Sequence, residues 1–129
     1  MIAVDTNVLV RVLIRDDPAQ ARRAAKILQS EKVFIPKTVM LETEWVLRYA
    51  YRIETKAIMD GFKKLLGLSN VTVEDPDAVV QAISSSERGL DFADSLHIAS
   101  SRKARQFVTF HKSLVRKARE VTPLEVVPV

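Results

Sequence analysis

The sequence predicts an α/β domain with a largely parallel sheet. Short apolar runs of strand character recur at Ile2–Val4, Val33–Ile35, Val71–Val73, Phe107–Thr109 and Leu124–Val127. Between them, apolar residues fall at helical spacing. Strands this short, alternating with helices, make a parallel sheet joined by right-handed crossovers. No repeat, low-complexity tract or linker interrupts the pattern, so residues 1–129 read as one domain.

The elements follow in order. Ile2–Val4 ends at Asp5, and Val8, Leu9, Val12 and Leu13 then recur as on a helix. Asp16-Asp17-Pro18 is a helix start, an acidic cap followed by Pro at the first helical position. That helix runs from Ala19 to Ser30 with Ala21, Ala24, Ala25 and Leu28 on one side. Pro36 closes the second strand. Thr38 is expected to cap a helix through Leu41, Trp45, Val46 and Tyr49, with Trp45 and Tyr49 in the core. A further helix spans Glu54 to Leu66, with Ile58, Phe62 and Leu65 inward and Gly67 at its end. Asp75-Pro76 starts a helix through Val79, Val80 and Ile83. Gly89 to Phe92 turns into a helix from Ala93 to Ala104. Lys112–Arg119 is a short helix before the last strand.

Composition closes off several classes. The chain has no Cys, which excludes a disulfide scaffold, a Cys-based zinc site, an iron–sulfur cluster and a cysteine nucleophile. Hydrophobic residues at 47% and charged residues at 28% fit a globular chain and not a disordered one. No apolar run approaches the roughly 20 residues that span a membrane, so no membrane role is expected. Met1-Ile2-Ala3-Val4-Asp5 lacks a basic start and a long apolar stretch, so the expected location is cytoplasmic.

The charge is uneven. Lys and Arg number 20 against 16 Asp and Glu, a net +4. Residues 102–119 carry Arg102, Lys103, Arg105, Lys112, Arg116, Lys117 and Arg119 with no acid, whereas residues 74–94 carry six acids and only Arg88. One reading is two solvated helix faces. The other is a polyanion held near carboxylates that bind a metal.

In parallel sheets, function gathers at the carboxyl ends of the strands. Asp5 follows the first strand; Thr109, Phe110 and His111 end or follow the fourth. Asp91 and Asp94, three apart, share a helix face. Glu42 shares a stripe with Trp45, Val46 and Tyr49. Each has a plainer role as well: Asp5 and Asp91 as helix caps, Asp94 at a helix N-terminus, Glu42 facing solvent, His97 half-buried. Acids gathered at one edge of one sheet would repel without a cation. With no Cys and only two His, the ligands left are oxygens, which suit Mg²⁺ or Mn²⁺.

Four stretches resemble the motifs of PIN-domain nucleases: Ile2-Ala3-Val4-Asp5-Thr6-Asn7, Thr38 to Leu47 around Glu42, Gly89 to Ala99 around Asp91 and Asp94, and Val108 to Leu114. Their order and spacing are similar to those of stand-alone PIN toxins of bacterial toxin–antitoxin pairs (VapC-like). The resemblance implies a three-layer α/β/α fold with a central, mostly parallel sheet of four to five strands. It implies an Mg²⁺- or Mn²⁺-dependent endoribonuclease with Asp5, Glu42 and Asp94 as acidic ligands and Asp91 as a fourth contributor. Thr6, Asn7 and Thr109 would be polar neighbours. It further implies a homodimer and a cognate antitoxin that covers the active site. His111 stands where the fourth motif usually carries an acid, and it brings no negative charge.

The mechanism expected is metal-assisted hydrolysis of RNA phosphodiesters. Arg102, Lys103, Lys112 and Arg116 would bind the RNA backbone. The alternative is a catalytically weak PIN domain that binds RNA or antitoxin, with His111 as its motive. A phosphatase of the haloacid dehalogenase type would need a second Asp where Asn7 stands. A receiver domain would need a phosphorylatable Asp after a middle strand, and a dinucleotide-binding domain a Gly-rich first turn.

Overall fold

The computed structural model describes all 129 residues. Seven helices and five strands alternate in the order β1 (Ile2–Ala3), α1 (Thr6–Leu13), α2 (Pro18–Ser30), β2 (Val33–Ile35), α3 (Lys37–Tyr49), α4 (Thr55–Leu66), β3 (Val71–Val73), α5 (Pro76–Glu87), α6 (Phe92–Ala99), β4 (Gln106–Thr109), α7 (Lys112–Ala118) and β5 (Glu125–Pro128). The fold class is α/β, and every strand pair is parallel, as the alternation predicts. The strands pair as β1-β2-β3 and β4-β5, consistent with the three-layer α/β/α fold expected.

The chain divides into two compact units, Met1–Glu74 and Asp75–Val129. In the first, Val33 and Ile35 are fully buried between β1 and β3, which they join in register Ile2↔Val33↔Val71. Leu9 from α1, Met40 and Leu47 from α3, and Met59 and Phe62 from α4 supply the surrounding core. Burying such a side chain contributes about 1.5–3 kcal/mol each. Asp17 caps α2 as its sequence requires, its Oδ1 accepting from the Gln20 N–H at 3.0 Å, with Pro18 first in the helix. The other end of α2 is closed from a distance: the Asn70 amide donates to the carbonyls of both Leu28 and Glu31. In the second unit the core is Leu90, Ile98, Leu114 and Ala118, with Phe107, Val121, Leu124 and Val126 packed against it.

Three expectations are corrected. Helix α3 begins one residue before Thr38, with Pro36 at its cap. Pro36 has no side-chain hydroxyl to offer; the Lys37 N–H is satisfied instead by Glu74 Oε1 at 2.9 Å, a partner supplied by the fold. The buried face of α3 is Met40, Thr43, Glu44 and Leu47, while Trp45 and Tyr49 are exposed. Helix α6 stops at Ala99 rather than Ala104. There the Ser101 hydroxyl donates to the His97 carbonyl at 2.8 Å and Arg102 to that of Ala99 at 3.3 Å, so side chains take the terminal carbonyls.

Candidate active site

In the first unit, β1 delivers Asp5 to the head of α1. Asp5 sits in extended conformation at the N-cap of α1, and its Oδ1 accepts from the N–H of the next residue, Thr6, at 2.7 Å. Its second carboxylate oxygen is not used by that bond. Thr6 is buried, and its hydroxyl donates to Glu42 Oε1 across 36 residues of chain. One residue thus ties the end of β1 to α3. Asp5, Thr6, Asn7 and Glu42 line a single cleft with Val10, Arg11, Val46 and Tyr51. The Arg11 guanidinium at its wall donates to Tyr51 Oη at 3.2 Å and to Gln20 Oε1 at 2.6 Å, and pairs with Asp16 at 3.2 Å.

The second unit builds its acids locally. Gly89 takes φ +104°, a backbone conformation that side chains disfavour, and so turns the chain out of α5. Leu90 drops into the core and Asp91 lands at the N-cap of α6. Asp91 Oδ2 accepts from the Asp94 N–H at 3.2 Å, and its carbonyl accepts from the Ser95 hydroxyl at 2.8 Å. Asp94 is half-buried, and this burial pushes its carboxyl pKa up. The neighbouring Asp91 charge pushes it further, with His111 and His97 acting in opposition. Asp91 therefore has the capping role weighed for it, and the same bond sets it beside Asp94.

His111 caps α7 without a side-chain cap bond. Its N–H donates to Thr109 Oγ1 at 3.0 Å, and its Nε2 lies 2.8 Å from Ser113 Oγ. His97 is exposed rather than half-buried.

Within neither unit do three His, Asp or Glu side chains stand close enough to hold a metal ion. Each unit presents one pair: Asp5 with Glu42, and Asp91 with Asp94.

The basic residues divide. Lys103, Lys112 and Arg116 are exposed. Arg102, also expected on the RNA backbone, grips Asp75 with both terminal nitrogens, at 2.6 and 3.1 Å.

The PIN domain family profile matches residues 2–120. The chain belongs to the PIN domain family. PIN domains are nucleases, and the match spans all four stretches that carry the resemblance. A comparison with curated proteins gives no match.

Two features of this PIN domain escaped the sequence. One is the buried acid: Glu44, with its side chain 2% exposed, is held by Arg48 one turn on, at 2.8 and 3.2 Å. The Glu-to-Arg spacing of four was the available signal. The other is the outward aromatic pair, Trp45 and Tyr49, whose periodicity is that of a core stripe and gave no warning.

Proposed function

We propose that this PIN domain is a divalent-metal-dependent endoribonuclease acting as the toxin of a toxin–antitoxin pair, with units 1–74 and 75–129 serving one domain and one reaction. The observation that carries the reading is the Asp5–Thr6–Glu42 connection. A buried hydroxyl spends its only proton on holding two carboxylate-bearing elements together at the head of a helix. A fold gains little from crowding acids, and a cation-dependent reaction gains a ligand pair.

Asp5, Glu42, Asp91 and Asp94 would hold the cation, Mg²⁺ or Mn²⁺. The donor set fits, since all are carboxylate oxygens and the chain has no Cys. Burial, and after it the Asp91 charge, raise the Asp94 pKa, and a bound cation would offset both costs of ionising it. When bound, such an ion supplies an acidified water and offsets charge on the phosphoryl oxygens. The chain's own part is to fix the carboxylates, to accept the proton lost by the attacking water, and to hold flanking phosphates at Lys103, Lys112 and Arg116. Thr6, Asn7 and Thr109 are the polar neighbours: Thr6 anchors Glu42, Asn7 lines the same cleft, and Thr109 accepts from the His111 N–H. The motif order supports a homodimer and a cognate antitoxin as partners, and a cytoplasmic site of action.

His111 supports a second reading, a catalytically weak PIN domain that binds RNA or antitoxin. Its ring is engaged with Ser113 and brings no negative charge.

The test is a mixed RNA pool incubated with Mg²⁺ or Mn²⁺, then with a chelator, beside Asp5→Asn. Cleavage that needs metal and vanishes in the variant is the expected result. Binding without cleavage under every metal condition would replace it with the second reading.

A further inference from the structure

The exposed face of α3 carries chemistry that the acids do not use. Trp45 and Tyr49 are 58% and 56% exposed, although large aromatic side chains are ordinarily drawn into cores or contacts. Their ring centroids lie 5.3 Å apart with the planes tilted by 45°, so neither ring covers the other face to face. The Arg48 guanidinium sits over the Tyr49 ring, 4.7 Å from its centre. Arg48 is itself held by the buried Glu44 carboxylate. The platform is therefore braced from the core outward, Glu44 to Arg48 to Tyr49.

Its position relative to Glu42 is fixed by the helix. At about 1.5 Å of rise per residue, Trp45 lies roughly 4.5 Å and Tyr49 roughly 10 Å along the axis from Glu42, on the same stripe. Val46, between them, lines the cleft that holds Asp5 and Glu42.

The geometry points to Trp45 and Tyr49 as a stacking platform for unpaired bases of a single-stranded RNA whose backbone runs to Glu42. This rests on the ribonuclease reading above. Aromatic faces take any base, and the Arg48 guanidinium, whose charge Glu44 already meets, braces the Tyr49 ring from one side. The patch adjoins the acid cleft through Val46, which favours the substrate over a protein partner as its occupant.

Trp45 is the chain's single tryptophan, so its fluorescence reports this face alone. The experiment titrates the full chain, with a chelator present to stop turnover, with three probes. These are a short unstructured oligoribonucleotide, the same sequence as a duplex, and an abasic strand of equal length. The single strand should quench Trp45 and the other two should not. By labelled-strand anisotropy, Trp45→Ala should weaken the single strand about five- to a hundredfold and leave the abasic strand unchanged. Trp45→Phe should keep most of the affinity, which a merely structural loss would not. Equal binding of single and abasic strands, or no quenching, overturns the proposal. So does a change in oligomeric state by light scattering in Trp45→Ala with RNA affinity intact, which would make this face a protein contact. Binding here needs no turnover, so quenching retained in a protein that cleaves nothing would sink the nuclease reading alone.

Discussion

Residues 1–74 and residues 75–129 each present a pair of acids, reached by opposite routes. In the first unit Glu42 meets the head of α1 through Thr6, 36 residues away, and the contact exists only once β1 and α3 are packed. In the second, Asp91 and Asp94 are one helix turn apart and meet as soon as α6 forms. The difference shows in their electrostatics. Asp5 and Glu42 are exposed acids, each accepting a hydrogen bond from Thr6. Asp94 is half-buried against a like charge, and its pKa is raised. One unit fixes its pair through a distant hydroxyl; in the other, burial first and the Asp91 charge second make Asp94 costly to ionise. On the metal-dependent reading, a cation would relieve the second pair more.

The largest test of that contrast is Asp94→Asn. Cleavage should fall at least about a hundredfold, the upper range of what losing a mere outer partner of a metal ligand costs. Thermal stability without metal should move the other way and rise at neutral pH. The folded pKa of Asp94 lies above its unfolded value. Its contribution to stability is therefore complete below the usual carboxylate range and lost as pH rises through the raised value. Melting curves of the chelated protein from acid to neutral pH should show this decline, and Asp94→Asn should flatten it. A variant that melts lower at neutral pH would mean that Asp94 is held by bonds rather than strained by charge.

Thr6→Val tests the other unit. It keeps the shape and removes the hydroxyl, so Glu42 loses its anchor. Denaturant unfolding should show a loss of about 1–3 kcal/mol, and metal affinity by calorimetry should weaken about tenfold. Unchanged metal affinity would show that the bond serves packing only. A smaller effect is expected from His111→Asp, which restores an acid beside Asp94. It should tighten Mn²⁺ a few-fold and raise the Asp94 pKa further, because a His that opposes the shift is replaced by a carboxylate. The smallest effect is expected from Lys112→Ala or Arg116→Ala. Each should weaken RNA binding evenly across sequences and reduce the slope of log affinity against log salt by about one.

The same contrast explains what could be read from the chain. The strands and the starts of α2, α5 and α6 were legible because their signals are local: Asp17-Pro18, Asp75-Pro76 and Asp91 each mark a boundary within a turn. The pairing of Asp91 with Asp94 was legible for the same reason. The link between Asp5 and Glu42 was not, and the resemblance in motifs supplied what spacing could not. The face of α3 was misread because Glu44 looks like a solvent acid until Arg48 neutralises it, which frees a charged residue to point inward and turns the aromatics outward. The end of α6 was overrun because Ser101 and Arg102 close it with side-chain bonds that propensity does not count. The Asp75 partner of Arg102 was not legible, because a charge run does not reveal which member is matched by an acid.

Asn70 makes one side-chain amide a hinge-pin of the fold. Its amide nitrogen closes the end of α2 through two carbonyls, Leu28 and Glu31, and amides are among the residues that heat and time convert to acids. Conversion to Asp would replace a double donor by an acceptor facing two acceptors. The end of α2 would open, and the start of β2, whose Val33 N–H bonds to the Asn70 carbonyl at 2.9 Å, would loosen with it. Asn70→Asp should therefore fray the chain at 28–33, far in the sequence from the single atom that changed.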